Sequence, residues 1–412
     1  MYNIGESYLF KVISQDHYGF GIAKENQQII FIKGALPKET VLALITGKKK
    51  GMIFSEVKEI KEASSERVMP RCKGYGVCGG CSLQHQNYLA QLSFKEEKVR
   101  EILKKFANYE GDIEKIVSSK EWNYRNKVVF HVNNRKLCFY QDKTNISYQV
   151  DECLLLPDEM NALIIKINKY LEENKPFNDI MIRENKNGEM LISLTGELNK
   201  ELFCKELSAF KVVGIIANKE LIKGTDYIID TLFNKKFLIS NPSFYQVNRY
   251  QTEQLYEIVI DMVKDIKPKK VLDLYCGTGT IGILISSYVN EVVGVEVENS
   301  SIINANKNKE LNKIENITFY LGKVEDKIES FKNYDFLIVD PPRAGLKKEV
   351  TDVIKKLKPL TIVYISCDPV TLARDINQLK EYYQVLKIKP VDMFPNTSHV
   401  ECVCVMKLHQ TL

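Results

Sequence analysis

A short apolar strand that runs straight into a glycine-rich turn limits the fold more than any other stretch. Lys270-Val271-Leu272-Asp273-Leu274 passes into Tyr275-Cys276-Gly277-Thr278-Gly279-Thr280-Ile281-Gly282. Glycines in such a strand-to-helix turn permit a tight bend and a close approach of ligand to backbone. From about residue 250 strand and helix alternate. A helix is predicted over Tyr250 to Val263, and further strands over Glu291 to Val297, Ile317 to Leu321, Phe336 to Asp340 and Leu360 to Ser366. Strands separated by helices imply a doubly wound, mainly parallel α/β sheet, whose ligands sit beyond the carboxyl ends of its strands.

Those ends carry acids. Asp273 stands just before the turn, Glu296 near the end of the second strand and Asp340 at the end of the fourth. Gly277, Gly279 and Gly282 also satisfy the dinucleotide fingerprint, so two ligands compete. A pyrophosphate at the helix N-terminus would be repelled by an adjacent carboxylate. The sulfonium of S-adenosylmethionine is a cation and suits three acids around one pocket. Glu296 can accept hydrogen bonds from ribose hydroxyls in either case. Charge therefore favours the methyl donor.

Residues 1–60 read as five short strands with polar turns, the pattern of a small OB-type barrel. Residues 61–240 form a mixed α+β region. Its predicted strands are Lys127 to Val132, Met190 to Leu194 and Val212 to Ala217, with helices near Gln86 to Phe106 and Asn161 to Leu171. The net charge of +5 is unevenly placed. Residues 71–150 hold 14 Lys and Arg against 8 Asp and Glu, whereas residues 151–412 hold 34 against 37. A positive excess confined to the front suits a polyanionic partner. A chain of 412 residues accommodates two or three domains, and 44% hydrophobic content excludes wholesale disorder. No apolar run approaches the roughly 20 residues of a membrane span, and the first residues lack a signal peptide's basic start. A cytoplasmic protein without a membrane partner is expected.

Ten cysteines without a secretory signal argue against a disulfide framework. Cys72, Cys78 and Cys81, with the distant Cys153, offer four thiolates. Spacing alone leaves zinc and a [4Fe–4S] cluster both open. Cys367, in Ser366-Cys367-Asp368-Pro369, lies just past a strand end that faces the ligand crevice. A cysteine is most often a small buried apolar residue, but this location favours chemistry. Glu401 follows in Thr397-Ser398-His399-Val400-Glu401. A thiolate that adds to C6 of uracil makes C5 nucleophilic enough to take a methyl group. A carboxylate can then remove the C5 proton.

These residues resemble the RNA uracil-C5 methyltransferase family. The matching stretches are Asn241-Pro242-Ser243-Phe244-Tyr245-Gln246-Val247-Asn248, Asp273 to Gly279, Asp340-Pro341-Pro342-Arg343-Ala344-Gly345, Ser366 to Pro369 and His399-Val400-Glu401. The N-terminal stretch is similar to the TRAM domain, an OB-type RNA-binding module. The resemblance implies that Gln246, Tyr275, Thr280, Glu296 and Asp340 contact S-adenosylmethionine. It implies Cys367 as nucleophile and Glu401 as general base, with His399 holding the base or the substrate or serving the fold alone. Cluster-bearing members share the four-cysteine pattern, so a [4Fe–4S] cluster is expected on Cys72, Cys78, Cys81 and Cys153. Asn396 departs from the family, in which a histidine is expected.

Three domains follow: a barrel over 1–60, a central domain over 61–240 and a methyltransferase domain over 241–412. RNA contacts are expected from Arg71, Lys73, Lys95, Lys98, Arg100, Lys104 and Lys105, from the Lys48-Lys49-Lys50 turn, and from Trp122-Asn123-Tyr124-Arg125-Asn126-Lys127. The last stretch resembles a Tyr-Arg-Asn-Lys run of the family. The four cysteines and the barrel resemble members that act on 23S rRNA, with tRNA as the alternative substrate. A non-catalytic RNA-binding factor is a further alternative, opposed by the intact Cys367 and Glu401.

Overall fold

The computed structural model describes residues 2–241 and 243–409, so Pro242 of the Asn241–Asn248 stretch lies outside the described residues. The chain divides into two compact units. One holds residues up to 98 with 139–148 and 394–398; the other holds 99–138, 149–393 and the residues from 399 onward.

In the first unit lie β1 (Ser7–Lys11), β2 (Ser14–Gln15), β3 (Gly21–Glu25), β4 (Gln28–Lys33), β5 (Thr40–Lys49) and β6 (Met52–Glu62). Their order in the sheet is β1-β5-β6-β4-β3-β2. The two ends of that order, β1 and β2, are pieces of one run broken only at Val12-Ile13, so the sheet closes on itself. The β4–β6 pair is parallel and the others antiparallel, the pairing of an OB barrel. Alternate residues such as Phe10, Val12, Ile30, Ile32, Val41, Ala43 and Ile45 point inward to form the core, as the two-residue period of a strand requires. The turn expected at Lys48-Lys49-Lys50 lies further on, because β5 continues through Lys49. Lys50 (φ 48) and Gly51 (φ 78) make the reversal, two left-handed residues in a row as in a tight hairpin. Fully buried Glu39 anchors the chain leaving the barrel. Its carboxylate accepts from the Leu36 and Ser64 amides and from the Arg67 guanidinium.

Helix α1 (Tyr88–Ala107) links the units in sequence. The chain continues with β7 (Lys127–Asn133), β8 (Lys136–Tyr140), β9 (Ser147–Gln149), α2 (Asp158–Glu173), β10 (Asp179–Glu184), β11 (Met190–Thr195), α3 (Lys200–Glu206), β12 (Val212–Ala217) and β13 (Glu220–Gly224), of which β7 and all elements from α2 onward lie in the second unit. Strands β13-β12-β11-β10-β7-β8 lie side by side in that order. A hairpin of β14 (Tyr227–Leu232) and β15 (Lys235–Ser240) follows.

The last sheet builds the crevice. Its elements are α4 (Gln251–Ile266), β16 (Lys270–Leu274), α5 (Thr280–Ile285), β17 (Glu291–Glu296), α6 (Asn299–Leu311), β18 (Ile317–Leu321), α7 (Val324–Lys327), β19 (Phe336–Val339), α8 (Lys348–Leu357), β20 (Thr361–Ser366), α9 (Pro369–Leu379), β21 (Tyr383–Val391) and β22 (Glu401–Leu408). The strand order is β18-β17-β16-β19-β20-β22-β21. The chain leaves β16 to one side for β17 and returns to its other side for β19, which opens a switch point at the end of β16. Strands β19 and β20 are buried throughout and read as unbroken apolar runs, as central parallel strands covered on both faces do. Only β22 runs antiparallel to both of its neighbours in this sheet.

Candidate active site

At the end of β16, Tyr275 takes φ 64, an uncommon conformation for a large side chain and one that strained functional turns tolerate. Gly279 (φ 76) is required twice over, since a Cβ there would also lie 2.5 Å from the Phe319 ring. The Gly277 N–H donates to the Glu296 carboxylate at 3.1 Å. The other Glu296 oxygen accepts from the Val297 and Glu298 amides at 2.7 and 2.8 Å. Glu296 is thus locked at the mouth of the turn. Thr280 is buried with its hydroxyl 3.2 Å from that of Thr278, so it faces the turn. Gln246 is also buried, with its side chain near the Tyr256 hydroxyl.

Three carboxyls share this buried space. Burial and the neighbouring Asp340 push Asp273 up to about 8. Neither of its oxygens has a hydrogen-bond partner, and the Gly282 amide lies close enough to oppose the shift but outside bonding geometry. Burial lifts Asp340 to about 7. Burial and Asp340 lift Glu401 to about 8, with Arg343 opposing. The Tyr256 hydroxyl is driven upward by burial and by the same three acids. Each of these carboxyls holds its proton tightly because its charge would be poorly solvated here, a cost that a neighbouring cation relieves.

Cys367 and Glu401 meet through strand register. Along β20 and β22, Thr361 pairs with Lys407 and Ser366 with Cys402. Continued by one step beyond its last pair, that register would set Cys367 against Glu401, whose charge acts on the thiol. Cys367 also precedes α9, whose first turn Asp368 caps by accepting from the Val370 amide at 2.9 Å. A helix N-terminus favours a thiolate. Burial and the Glu401 charge outweigh it, and the thiol is pushed up to about 11 despite Arg343. His399 is exposed. Two groups that sequence reasoning left without a role, Tyr256 and Arg343, thus sit among the predicted ones. Arg343 lay inside a matching stretch, whereas Tyr256 carries no local signal on its helix.

The expected RNA-facing cations divide. Lys95 is buried and donates to the Phe394 carbonyl at 3.0 Å, and Lys98 donates to the Ser398 carbonyl at 2.7 Å. Both hold a loop, which corrects the sequence reading. Lys104 pairs with Glu110 on the surface. Within Trp122–Lys127, Tyr124 and Asn126 are buried. Asn126 donates from its backbone to the Val247 carbonyl at 2.8 Å and from its side chain to the Gln246 carbonyl at 3.1 Å, bracing the Gln246 segment. Lys127 faces Arg183 across the ladder, and burial, with Arg183 and Arg125 nearby, lowers it to about 8. Phe244, two residues before Gln246, is a large aromatic left 62% exposed.

The cysteine expectation fares differently. Cys72, Cys78, Cys81 and Cys153 are each partly exposed. Among the described residues no three His, Cys, Asp or Glu side chains are grouped to hold a metal ion. The Cys72–Cys81 loop contains turns in which the Val77 and Cys78 amides donate to the Gly74 carbonyl. Asn396 has a physical reason: it takes φ 65, which asparagine tolerates, and exchanges hydrogen bonds with the Gln91 side chain. No described helix is long and apolar enough to cross a membrane.

A sheet of this order with acids at its switch point is that of the class I S-adenosylmethionine-dependent methyltransferases. The sequence profile described as tRNA (Uracil-5-)-methyltransferase matches residues 87–409. The chain is 35% identical to an uncharacterized RNA methyltransferase of Listeria innocua over 95% of both proteins. It is 36% identical to one of Clostridium acetobutylicum over 94% of each. The crystal structure of Pyrococcus abyssi tRNA (uracil-54, C5)-methyltransferase with S-adenosyl-L-homocysteine aligns at TM-score 0.79 and 26% identity, covering 97% of this chain and all of that one. The chain belongs to the RNA uracil-C5 methyltransferase family and is an S-adenosylmethionine-dependent enzyme acting on RNA.

Proposed function

We propose that the chain methylates C5 of uridine through a transient bond between the Cys367 sulfur and C6 of the base. The register that sets Cys367 against Glu401 carries this reading. The Cys367 thiolate adds to C6, and the C5–C6 electron pair moves to the carbonyl as an enolate. C5 then takes the methyl from the sulfonium of the donor. Glu401, ionised, removes the C5 proton, and the electrons re-form C5=C6 as the thiolate leaves. Gln246, Tyr275, Glu296 and Asp340 would hold the donor, with Thr280 acting through the turn. The base must leave its stack to reach Cys367, so a looped or bulged site is expected. Glu401→Gln should accumulate a covalent protein–RNA adduct on a denaturing gel, and Cys367→Ala should form none. Normal turnover by Cys367→Ala would sink the covalent route.

We place 23S rRNA first as the substrate, on the four-cysteine and barrel resemblance, with the barrel as RNA-binding module. A second reading, tRNA, is favoured by the Pyrococcus abyssi enzyme, whose likeness extends over 97% of this chain and so includes a barrel. Mass spectrometry of rRNA and tRNA from a deletion strain separates them, since 5-methyluridine disappears from only one. A [4Fe–4S] cluster rests on sequence pattern, and no step above passes through it. Iron and sulfide in cluster stoichiometry in anaerobically purified protein would support it, and stoichiometric zinc would overturn it.

A further inference from the structure

Arg343 is the cation among the charged groups that act on Cys367, the others being the carboxylates of Glu401, Asp340 and Asp368. It acts on Glu401 as well, alongside Asp340. Arg343 is itself exposed, so its placement depends on the turn that carries it. That turn, Pro342 to Gly345, is closed by the Gly345 N–H donating to the Pro342 carbonyl at 2.8 Å. Gly345 has φ 73, and a Cβ there would lie 2.6 Å from Arg374 Nη2 and 2.7 Å from Asp375 Oδ2. The turn is therefore pressed against α9.

Two side chains of α9 grip it. Arg374 Nη2 donates to the Ala344 and Leu346 carbonyls at 2.9 and 3.0 Å. Asp375, fully buried, accepts from the Leu346 amide at 2.8 Å, from Arg374 Nε at 2.8 Å and from the Tyr364 hydroxyl at 2.7 Å. Tyr364 lies on β20, three residues before Cys367. One buried carboxylate thus joins the Arg343 turn, the helix that starts just beyond Cys367 and the strand that ends just before it. A stability role alone does not require that the gripped turn be the one bearing the cation of the site.

We propose that Asp375, with Arg374 and Tyr364, is a positioning clamp that holds the Arg343 guanidinium towards Cys367 and so sets the reactivity of that thiol. Its catalytic meaning rests on the proposed covalent route, but thiol reactivity can be read without turnover. The sign of the effect discriminates. Removing the Asp375 charge would by itself ease ionisation of a nearby thiol. Releasing Arg343 makes ionisation harder.

The test is alkylation of Cys367 by iodoacetamide between pH 7 and 10, followed peptide by peptide in the full chain without donor or RNA. Arg343→Gln and Asp375→Asn should each slow the reaction at pH 8 by about threefold to tenfold, an upward move of about half to one pH unit in the profile. The double variant should be no slower than Arg343→Gln alone, the coupling expected of residues acting through one another. Alkylation of Asp375→Asn as fast as wild type or faster, or additive slowing in the double variant, overturns the clamp. If Asp375→Asn does not fold, Arg374→Gln, which leaves the Leu346 and Tyr364 bonds to Asp375 in place, must show the same slowing and coupling. Methyl transfer by Cys367→Ala would refute the covalent route and leave this readout untouched.

Discussion

Replacing Asp273 by asparagine should make the free protein more stable and its grip on S-adenosylmethionine weaker. The carboxyl is buried, lacks a hydrogen-bond partner and is raised from 3.8 to about 8. A folded-state value above the unfolded one means that the native protein keeps a proton that the unfolded chain gives up. The group therefore costs stability increasingly as pH rises from about 4 to about 8, and no further above that. At about 1.4 kcal/mol per tenfold change in proton affinity the ceiling is about 6 kcal/mol, and water in the crevice should reduce it to about 2–3 kcal/mol. Asparagine has the same shape and no proton to lose, so it escapes that cost. Urea denaturation at pH 5 and pH 8 should show a gain for Asp273→Asn that is small at the lower pH and large at the higher. Losing one charge opposite the sulfonium should weaken donor binding by about 1–3 kcal/mol, roughly 5- to 150-fold. S-adenosylhomocysteine, whose sulfur is neutral, should be little affected in the same calorimeter. A variant that is less stable at pH 8, or that loses both ligands equally, would refute the reasoning.

Proton traffic on donor binding offers a second check. Asp340 at about 7 and Asp273 and Glu401 at about 8 are partly protonated at neutral pH, and a bound sulfonium lowers all three. Calorimetry at pH 7.5 in two buffers of different ionisation enthalpy should show proton release with S-adenosylmethionine and markedly less with S-adenosylhomocysteine; equal release would remove the sulfonium from the explanation. In the barrel, burial raises Glu39, but the Arg67 guanidinium and the Leu36 and Ser64 amides more than offset it, leaving the carboxyl below its usual range. Its stabilising effect is therefore full above about pH 4.5 and fades on acidification. Glu39→Gln, which strands Arg67, should cost about 3–5 kcal/mol in denaturant melts at pH 7.

Local pattern carried the crevice and little of what closes it. Strand β16 and its turn were legible because a buried parallel strand is an unbroken apolar run and glycines mark the bend. In the barrel five strands were expected, because the break at Val12-Ile13 leaves a two-residue β2 too short to carry a period. Strand β10 was missed because its sequence, Asp-Ile-Met-Ile-Arg-Glu, ends in charges that the fold buries: Arg183 donates to the Ser243 carbonyl and Glu184 pairs with Arg249. Lys95 looked like an RNA contact for a related reason. Its partner is a backbone carbonyl 299 residues away, which no helical periodicity can announce. Cys367 could be suspected from its place after a strand, whereas Glu401 was picked out by the chemistry it could supply and by family resemblance, with no local pattern to mark it.

Its position follows from topology. In a parallel sheet each strand brings only its carboxyl end to the crevice, so neighbouring strands present groups of one kind, at the starts of the following loops. Strand β22 runs the other way and brings its first residue to that edge. Glu401 can then stand across from Cys367 at the separation of a cross-strand pair, about 5 Å between Cα atoms. On its other side Val391 of β21 closes the ladder. The pairing is exacting, because a slip of one residue in β22 would turn Glu401 to the opposite face and present Cys402 instead. What resists the slip is burial on both faces: Glu401 to Met406 are all buried, so either alternative register would push a polar group into apolar packing. The same burial that raises the proton affinity of Glu401 therefore also keeps it in register with Cys367.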